Sequence, residues 1–485
     1  MERYDLLING KWVPARSGET FSVYDPARTE VIAEVAKADE ADVADAALAA
    51  RKAFDEGPWP RMKASERARI LFRLADLIRD NLEEIARYEA MNVGKPISDS
   101  RDETGGGASC FEYYAGAATK FFGETIPVSN RGFDFTLREP CGVVAAIVPW
   151  NFPFLMTAWK VAPALATGNT VILKPASYTP LSALCLVRLA LEAGVPEGVL
   201  NLITGPGSSA GTAIVAHPAV NKITFTGETT TGTAIMKTAA EDIKRVSLEL
   251  GGKSPNIVFA DADVEKAGRA SVLSVFGNCG QDCCARSRAF VEQSVYDKFV
   301  NAFIDQTSKT VIGDPLDDAT QIGPMVSMKQ RETVCKYIEI GKEEGATLAY
   351  GGEILTEGQY AKGSYIRPAV FTNAKNSMRT CQEEIFGPVL SVIPFTDADE
   401  MIRQVNDSPY GLSGSIWTTN LNRALLTARR VKSGVLSVNT NSSVYVEAPF
   451  GGYKKSGIGR DLGMHTLNNF TEIKNVFINI GEDFA

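Results

Sequence analysis

GVVAAIVPW at 142–150, TVILKP at 170–175, VLNLITG at 199–205, KITFTG at 222–227 and RVSLELGG at 245–252 are apolar runs with little period-two alternation. A strand with one wet face alternates polar and apolar residues, whereas these runs read as strands covered on both faces. Helical stretches, roughly 154–167, 181–193, 208–216 and 229–240, lie between them. Strand–helix alternation of this kind implies a parallel, doubly covered sheet. Ligands of such sheets bind outside the carboxyl ends of the strands.

Outward from that core, residues 5–36 read as short strands with turns. A helical pattern follows, in which Ile70, Leu71, Leu74, Leu77, Ile78, Leu82 and Ile85 recur at three-to-four spacing. After Gly252 come PNIVFAD, RAFVEQ, ATLAYGG, YIRPAVF, VLSVIPF, SGSIWTT and GVLSVNT, with helices between, which predicts a second α/β domain. The turn Glu249–Gly252 is the expected boundary, so Glu249 and Cys283 are expected to flank an interdomain cleft. Segment 121–140 and the tail NNFTEIKNVFINI fit neither domain. Alternating strands without a domain of their own point to edge pairing between subunits.

At 485 residues the chain is long enough for about two or three domains. It is 45% hydrophobic and 22% charged, with net charge −8 and no basic run, which disfavours nucleic acid and anionic membranes as partners. The N-terminus MERYDLLINGKW carries no apolar signal region, and the longest apolar run, Val143 to Trp150, is too short to span a bilayer. Eight cysteines are scattered without CxxC pairs at zinc spacing, so a reducing cytoplasm is the expected location. The only two histidines are His217 and His465. That scarcity argues against a Ser-His-Asp triad, a Cys-His dyad and a histidine-ligated metal; no metal is expected.

Two residues carry the chemistry. Cys283 sits in FGNCGQDCCARSR, flanked by Gly280, Gln281 and Asp282 in a polar loop; Glu249 sits in SLELGGKSPN. A thiolate attacks a carbonyl carbon, and a carboxylate activates the water that clears the resulting thioester. Taken singly, each residue also fits a blander role, an inert buried thiol and a surface acid. Two strand ends carry glycines, Gly205-Pro-Gly207 and Gly227 with Gly232, the second at a helix N-terminus where backbone N–H groups hold anions. Lys174 and Ser177, at the end of TVILKP, can hydrogen-bond a ribose or phosphate.

Taken together, PWNFP (149–153), Lys174 in LKPAS, FTG (225–227), LELGGKSPN (248–256), GQDC (280–283), EEIFGPV (383–389) and PFGGYKKSGIGR (449–460) resemble the aldehyde dehydrogenase superfamily over essentially the whole chain. The resemblance implies an α/β protein with a Rossmann-like NAD(P)-binding domain (1–120 and 141–251), an α/β catalytic domain (252–460) and a small β oligomerisation segment (121–140 and 461–485) that forms homodimers or homotetramers. It implies Cys283 as nucleophile, Asn151 with the Cys283 N–H as oxyanion site, and Glu249 as the base for water, with Glu249 and Lys253 both helping to deprotonate the thiol. Lys174 goes with the catalytic set and with the adenosine ribose, and Glu384 with the nicotinamide ribose. Trp150, Ser177, Gly207, Gly227, Glu228, Leu250 and Phe386 complete the expected cofactor contacts.

Three departures qualify the resemblance. Ser177 stands where NAD-specific members often carry Glu, so NADP+ is expected to be accepted beside NAD+. Glu228 follows FTG where many members carry Ser, and is expected to cap the helix that follows. The expected tunnel wall is Gly106, Phe152, Met156, Trp159, Phe276, Gly277, Asp282, Val444 and Phe450, with Gly106 and Gly277 where bulky side chains are common. A wide tunnel suits a large or aromatic aldehyde. Asp282 and Glu447 suit a cationic one, an aminoaldehyde or betaine aldehyde. An acidic semialdehyde, a CoA-acylating reaction and a non-enzymatic scaffold are the alternatives; no arginine is expected to face the site, although Arg286 lies three residues past the nucleophile.

Overall fold

All five runs of the 142–252 stretch become neighbouring parallel strands. The computed structural model describes residues 2–480 and is mixed α/β. Its largest sheet has eight strands in the order Gly457–Ile458, Arg245–Glu249, Lys222–Thr226, Val143–Ile147, Thr170–Lys174, Leu200–Leu202, Leu6–Ile8, Lys11–Val13. The central five are parallel; the short outer strands pair antiparallel. Every residue of Val143–Ile147, Thr170–Lys174 and Lys222–Thr226 is buried, as expected of strands covered on both faces. The parallel part of this sheet starts at Val143–Ile147, steps outward twice, then returns to the other side at Lys222–Thr226. The reversal opens a crevice beyond the ends of those two strands, the position where such sheets take ligands.

A second sheet of seven strands runs Thr347–Tyr350, Ala369–Thr372, Val389–Phe395, Arg288–Glu292, Pro255–Val258, Ser413–Trp417, Val435–Val438. All its pairs are parallel except the first. Its core packs Phe276 edge-on to Phe303 at 5.4 Å between centroids, with Phe299 stacked beyond. The strand Arg245–Glu249 ends one sheet, and Pro255–Val258 begins the other after the intervening turn.

Gly132–Pro140 pairs antiparallel with Thr471–Asn479 along their full lengths, and Thr125–Ile126 adds a third strand. Phe133, Ile473 and Phe477 are 47, 60 and 43% exposed on this small sheet. Leu462, Leu467 and Phe470 sink into the first core before its last strand starts. Residues 481–485, the end of the expected oligomerisation segment, lie outside the described residues.

Phe276 is fully buried, so truncating it leaves a cavity that its ring-packed neighbours cannot fill. Phe276→Ala is expected to cost about 3–5 kcal/mol, read as a lower denaturant midpoint by circular dichroism.

Candidate active site

The crevice at the chain reversal is a cavity of about 1050 Å³, at the upper end of the roughly 300–1,000 Å³ of ordinary ligand pockets. Trp150, Lys174, Ser177, Gly207, Gly227, Glu228, Leu250, Glu384 and Phe386 line it, together with Asn151, Glu249 and Cys283. Strand ends deliver most of them. Trp150 and Asn151 follow Val143–Ile147, and Pro153 then starts a helix, where its fixed φ is favoured. Lys174 and Glu249 are the last residues of their strands. Gly227 N–H donates to the Glu249 carbonyl at 3.1 Å, and a Cβ there would meet the Phe225 ring at 2.5 Å. Trp150 and Phe386 form an aromatic corner, edge to face at 5.1 Å.

Glu384 and the nucleophile loop close the cavity from the side of the seven-stranded sheet. Glu384 Oε1 accepts from Gly252 N–H at 2.9 Å. Asn278, Cys279 and Gly280 adopt φ of 48, 54 and 69°, a left-handed run that costs free energy at the two non-glycine positions. Asn278 holds the bend through Nδ2, which donates to the Asn151 carbonyl at 2.9 Å. Asn151 Nδ2 donates to the Gln281 carbonyl at 2.9 Å, and Gln281 Oε1 accepts from Val326 N–H at 2.8 Å. Asn278 went unnoticed in the sequence; the signal for it was its place before Cys279 and Gly280 in a strained turn.

Burial sets the protonation states. The Glu249 carboxyl is 5% exposed, and its Oε2 has no hydrogen-bond partner. Desolvation pushes it well above the usual carboxylate range, Asp461 pushes the same way, and Lys160 and Arg460 oppose. Lys160 Nζ meets Asp461 Oδ2 at 3.0 Å in a fully buried ion pair that sequence reasoning missed. The Cys283 thiol is also held well above its ordinary value, first by its hydrogen bond with the Cys284 thiol and then by burial. Burial pushes Glu384 up to about 7 and Lys174 down to about 8. Lys253, pushed down to about 8 by burial, lies near Cys381, Arg288 and Glu384 and does not line the cavity.

Several expected positions differ from their readings. Glu228 occupies the N-cap position of the helix Thr229–Glu241, yet its side chain makes no cap bond. It lines the cavity instead, close enough to Glu384 and Tyr410 to raise both. Lys174 Nζ donates to the Pro175 carbonyl and Ser177 Oγ to the Gly205 carbonyl, each at 2.9 Å. None of the nine tunnel residues lines the large cavity. Cys283 packs with Phe152 against the apolar cluster that holds Met156, Trp159 and Phe450, the last two edge to face at 5.1 Å. Phe276 does not belong with them, because its ring is spent in the second core. A Cβ on Gly277 would meet nothing within 4 Å, and one on Gly106 only Leu155 Cδ1 at 3.4 Å. Val444 is exposed, and Asp282 is half-buried with Oδ1 accepting from Cys284 N–H at 2.8 Å. Lys95, wholly buried, pairs with Glu103 and Glu89 and lies 4.3 Å from the Phe152 ring centroid.

Residues 12–476 match the model of the aldehyde dehydrogenase family. The chain is 48% identical over 473 residues to aldehyde dehydrogenase family 2 member B4, mitochondrial, of Arabidopsis thaliana, covering 97% of this chain and 87% of that protein. It is 47% identical over 477 residues to the mitochondrial benzaldehyde dehydrogenase of Antirrhinum majus, covering 98% and 89%. The NAD+ complex of an aldehyde dehydrogenase from Bacillus cereus superposes with a TM-score of 0.97 at 46% identity, covering 99% of this chain and 97% of that one.

The raised Glu249 carboxyl makes a signed prediction. Its neutral form is favoured by folding, so its contribution is present below the unfolded pKa and is lost as pH rises toward the folded one. Glu249→Gln keeps the shape and removes the ionisation. The variant is expected to melt higher than the parent, by a margin that widens from pH 5 to pH 9 in thermal scans.

Proposed function

Because the chain belongs to the aldehyde dehydrogenase family, we propose that it oxidises an aldehyde to the carboxylic acid, with NAD+ taking the hydride and Cys283 as nucleophile. Cys283, Glu249, Asn151 and Glu384 line one cavity, and that co-location carries the proposal. The Cys283 thiolate attacks the carbonyl carbon, and the π pair moves onto oxygen. The Asn151 amide donates one N–H to Gln281 and has a second for that oxyanion, beside the Cys283 N–H. Losing one such donor typically costs about 3–4 kcal/mol. Hydride leaves the tetrahedral carbon and the C–S bond stays, which gives a thioester. Glu249 then takes a proton from water, hydroxide attacks the thioester, and the Cys283 thiolate departs. Glu249 must be ionised for this step, so water entering its pocket is part of the cycle.

Among the cofactor contacts, we assign Lys174 and Ser177 to the adenosine ribose, Glu384 to the nicotinamide ribose, and Gly227 to the pyrophosphate. The glycine cradle at Gly227 and the aromatic corner of Trp150 and Phe386 fit a dinucleotide. Ser177 brings no carboxylate to the ribose, and Lys174 lies in the same cavity, so NADP+ is accepted beside NAD+. Glu249 speaks against release of the thioester to coenzyme A, which needs no water-activating base.

The substrate is a bulky or aromatic aldehyde. The open space at Gly277 and the single neighbour of Gly106 support it; the Antirrhinum majus relative is a benzaldehyde dehydrogenase. A cationic aldehyde is the second reading, on Asp282 and Glu447. Against it, Arg286 and Lys95 both act on the Asp282 carboxyl as positive neighbours. The apolar exposure of Phe133, Ile473 and Phe477 supports a dimer or tetramer through the small sheet. The domains are proposed to divide as the sequence reading has them, at 120–121, 140–141, 251–252 and 460–461. All eight cysteines are free, which supports a reducing compartment such as the cytoplasm; no helix among the described residues is long and apolar enough to cross a membrane.

Two measurements test this reading. Cys283→Ala is expected to abolish NADH formation from every aldehyde in a panel, whereas Glu249→Gln still gives a burst of NADH ahead of slow deacylation. Turnover surviving in Cys283→Ala would assign the nucleophile elsewhere. Steady-state kinetics with both cofactors is expected to show NADP+ turnover; a preference for NAD+ beyond roughly 1000-fold, about 4 kcal/mol, would overturn the Ser177 assignment.

A further inference from the structure

Arg286 lies three residues past Cys283 and is 4% exposed, yet none of its hydrogen bonds goes to a carboxylate. Nη1 donates to the Cys284 carbonyl at 2.8 Å, Nε to Ser415 Oγ at 3.2 Å, and Nη2 to Ser443 Oγ at 2.9 Å. The three acceptors belong to three segments: the nucleophile loop, the buried strand Ser413–Trp417, and the loop of residues 439–448. Ser415 Oγ also meets Ser437 Oγ at 3.1 Å, and Ser437 Oγ donates to the Thr440 carbonyl at 2.6 Å, so the base of the last loop hangs on the same network. Beyond Ser443 that loop is open, with Val444 and Tyr445 41 and 56% exposed. A buried guanidinium without a bonded counter-ion is an expensive way to fill space. Its planar fork reaches three acceptors in fixed directions, which the point charge of a lysine cannot reproduce.

We propose that Arg286 is a positioning residue that pins the 439–447 loop to the nucleophile loop and thereby sets which aldehydes reach Cys283. The proposal rests on the aldehyde-oxidising reading of Cys283. Two hydrogen bonds link the Cys284 carbonyl to the residue before Val444: guanidinium, then Ser443, then the expected wall. Cutting the bridge frees the wall. A reagent that needs only access then gains, whereas a bulky substrate that needs a fixed wall loses affinity.

The test uses Arg286→Gln, Arg286→Lys, Ser443→Ala and the double variant Arg286→Gln/Ser443→Ala in the full chain. Ser443 is half-buried in a loop, so its variant folds even where an arginine variant does not. Two readouts are compared. One is kcat and KM for a small aliphatic and an aromatic aldehyde, with KM for NAD+. The other is the rate of Cys283 alkylation by iodoacetamide and by N-phenylmaleimide, followed by peptide mass spectrometry. Arg286→Gln and Arg286→Lys are each expected to raise the KM of the aromatic aldehyde and the maleimide-to-iodoacetamide ratio about tenfold, the scale of one charge-assisted hydrogen bond. Neither is expected to move KM for NAD+. Ser443→Ala shifts both readouts the same way, and the double variant matches Arg286→Gln alone. Full rescue by Lys would show that charge and not the fork matters, and would overturn the proposal. So would additive single effects, or an equal loss for all aldehydes. If the parent oxidises no aldehyde while the alkylation ratio still shifts, the aldehyde reading fails and the loop bridge stands.

Discussion

Close backbone approaches at glycines gather the site. A Cβ on Gly251 would lie 2.1 Å from Glu384 Oε2, and one on Gly252 would lie 2.3 Å from the Cys283 carbonyl oxygen. The first clash could relax by moving a side chain, but the second is against backbone. Gly280 repeats the constraint from the other side, with its would-be Cβ 2.3 Å from the Gly387 carbonyl carbon. These close approaches gather the end of one sheet, the nucleophile loop and the 384–387 segment around a single opening. Glu249 ends a strand of the eight-stranded sheet and Cys283 lies in the loop before a strand of the seven-stranded sheet, and the close approaches at Gly252 and Gly280 are part of what lets them share one cavity.

The two sheets were legible because parallel strands covered on both faces leave a continuous apolar run, and no other element does so in segments this short. Glu249 and Cys283 were legible only through the run of motifs around them; singly, Glu249 between Leu248 and Leu250 and Cys283 beside Cys284 also fit a surface acid and an inert thiol. What escaped was long-range packing. Phe276 reads equally well as a wall or as core until Phe299 and Phe303 are seen beside it. Glu228 holds an N-cap position, but glutamate is a longer and poorer cap than Ser, Thr or Asp, and its side chain turns to the cavity. Lys160 and Asp461 are 301 positions apart and look like two ordinary charges until the fold pairs them. The same holds for Arg286, whose place near the nucleophile says nothing of the three segments that its hydrogen bonds join.

The depth of the site shifts its groups toward their neutral forms. Burial raises the Glu249 carboxyl and lowers Lys174, and the Cys283 thiol is raised first by its hydrogen bond with the Cys284 thiol and then by burial. A neutral thiol and a neutral carboxyl cost little to bury, but neither works as nucleophile or base. The shifts oppose the ionised forms that the proposed mechanism uses, so that mechanism needs something that favours the two anions. A positively charged nicotinamide ring beside Cys283 would do so for the thiol, and water reaching Glu249 Oε2 would do so for the acid.

On the substrate side, charge is spent before any ligand arrives. Lys95 is taken up by Glu103 and Glu89 and by the face of Phe152. Arg286 is taken up by two serines and a carbonyl. Asp282 gives one oxygen to the Cys284 N–H, and both cations act on its carboxyl. On the proposed reading, a tunnel whose buried ionic groups already satisfy one another offers a charged aldehyde little that water does not. The proposed selection then rests on the space that Gly277 and Gly106 leave open and on how firmly the 439–447 loop is held, on shape rather than charge.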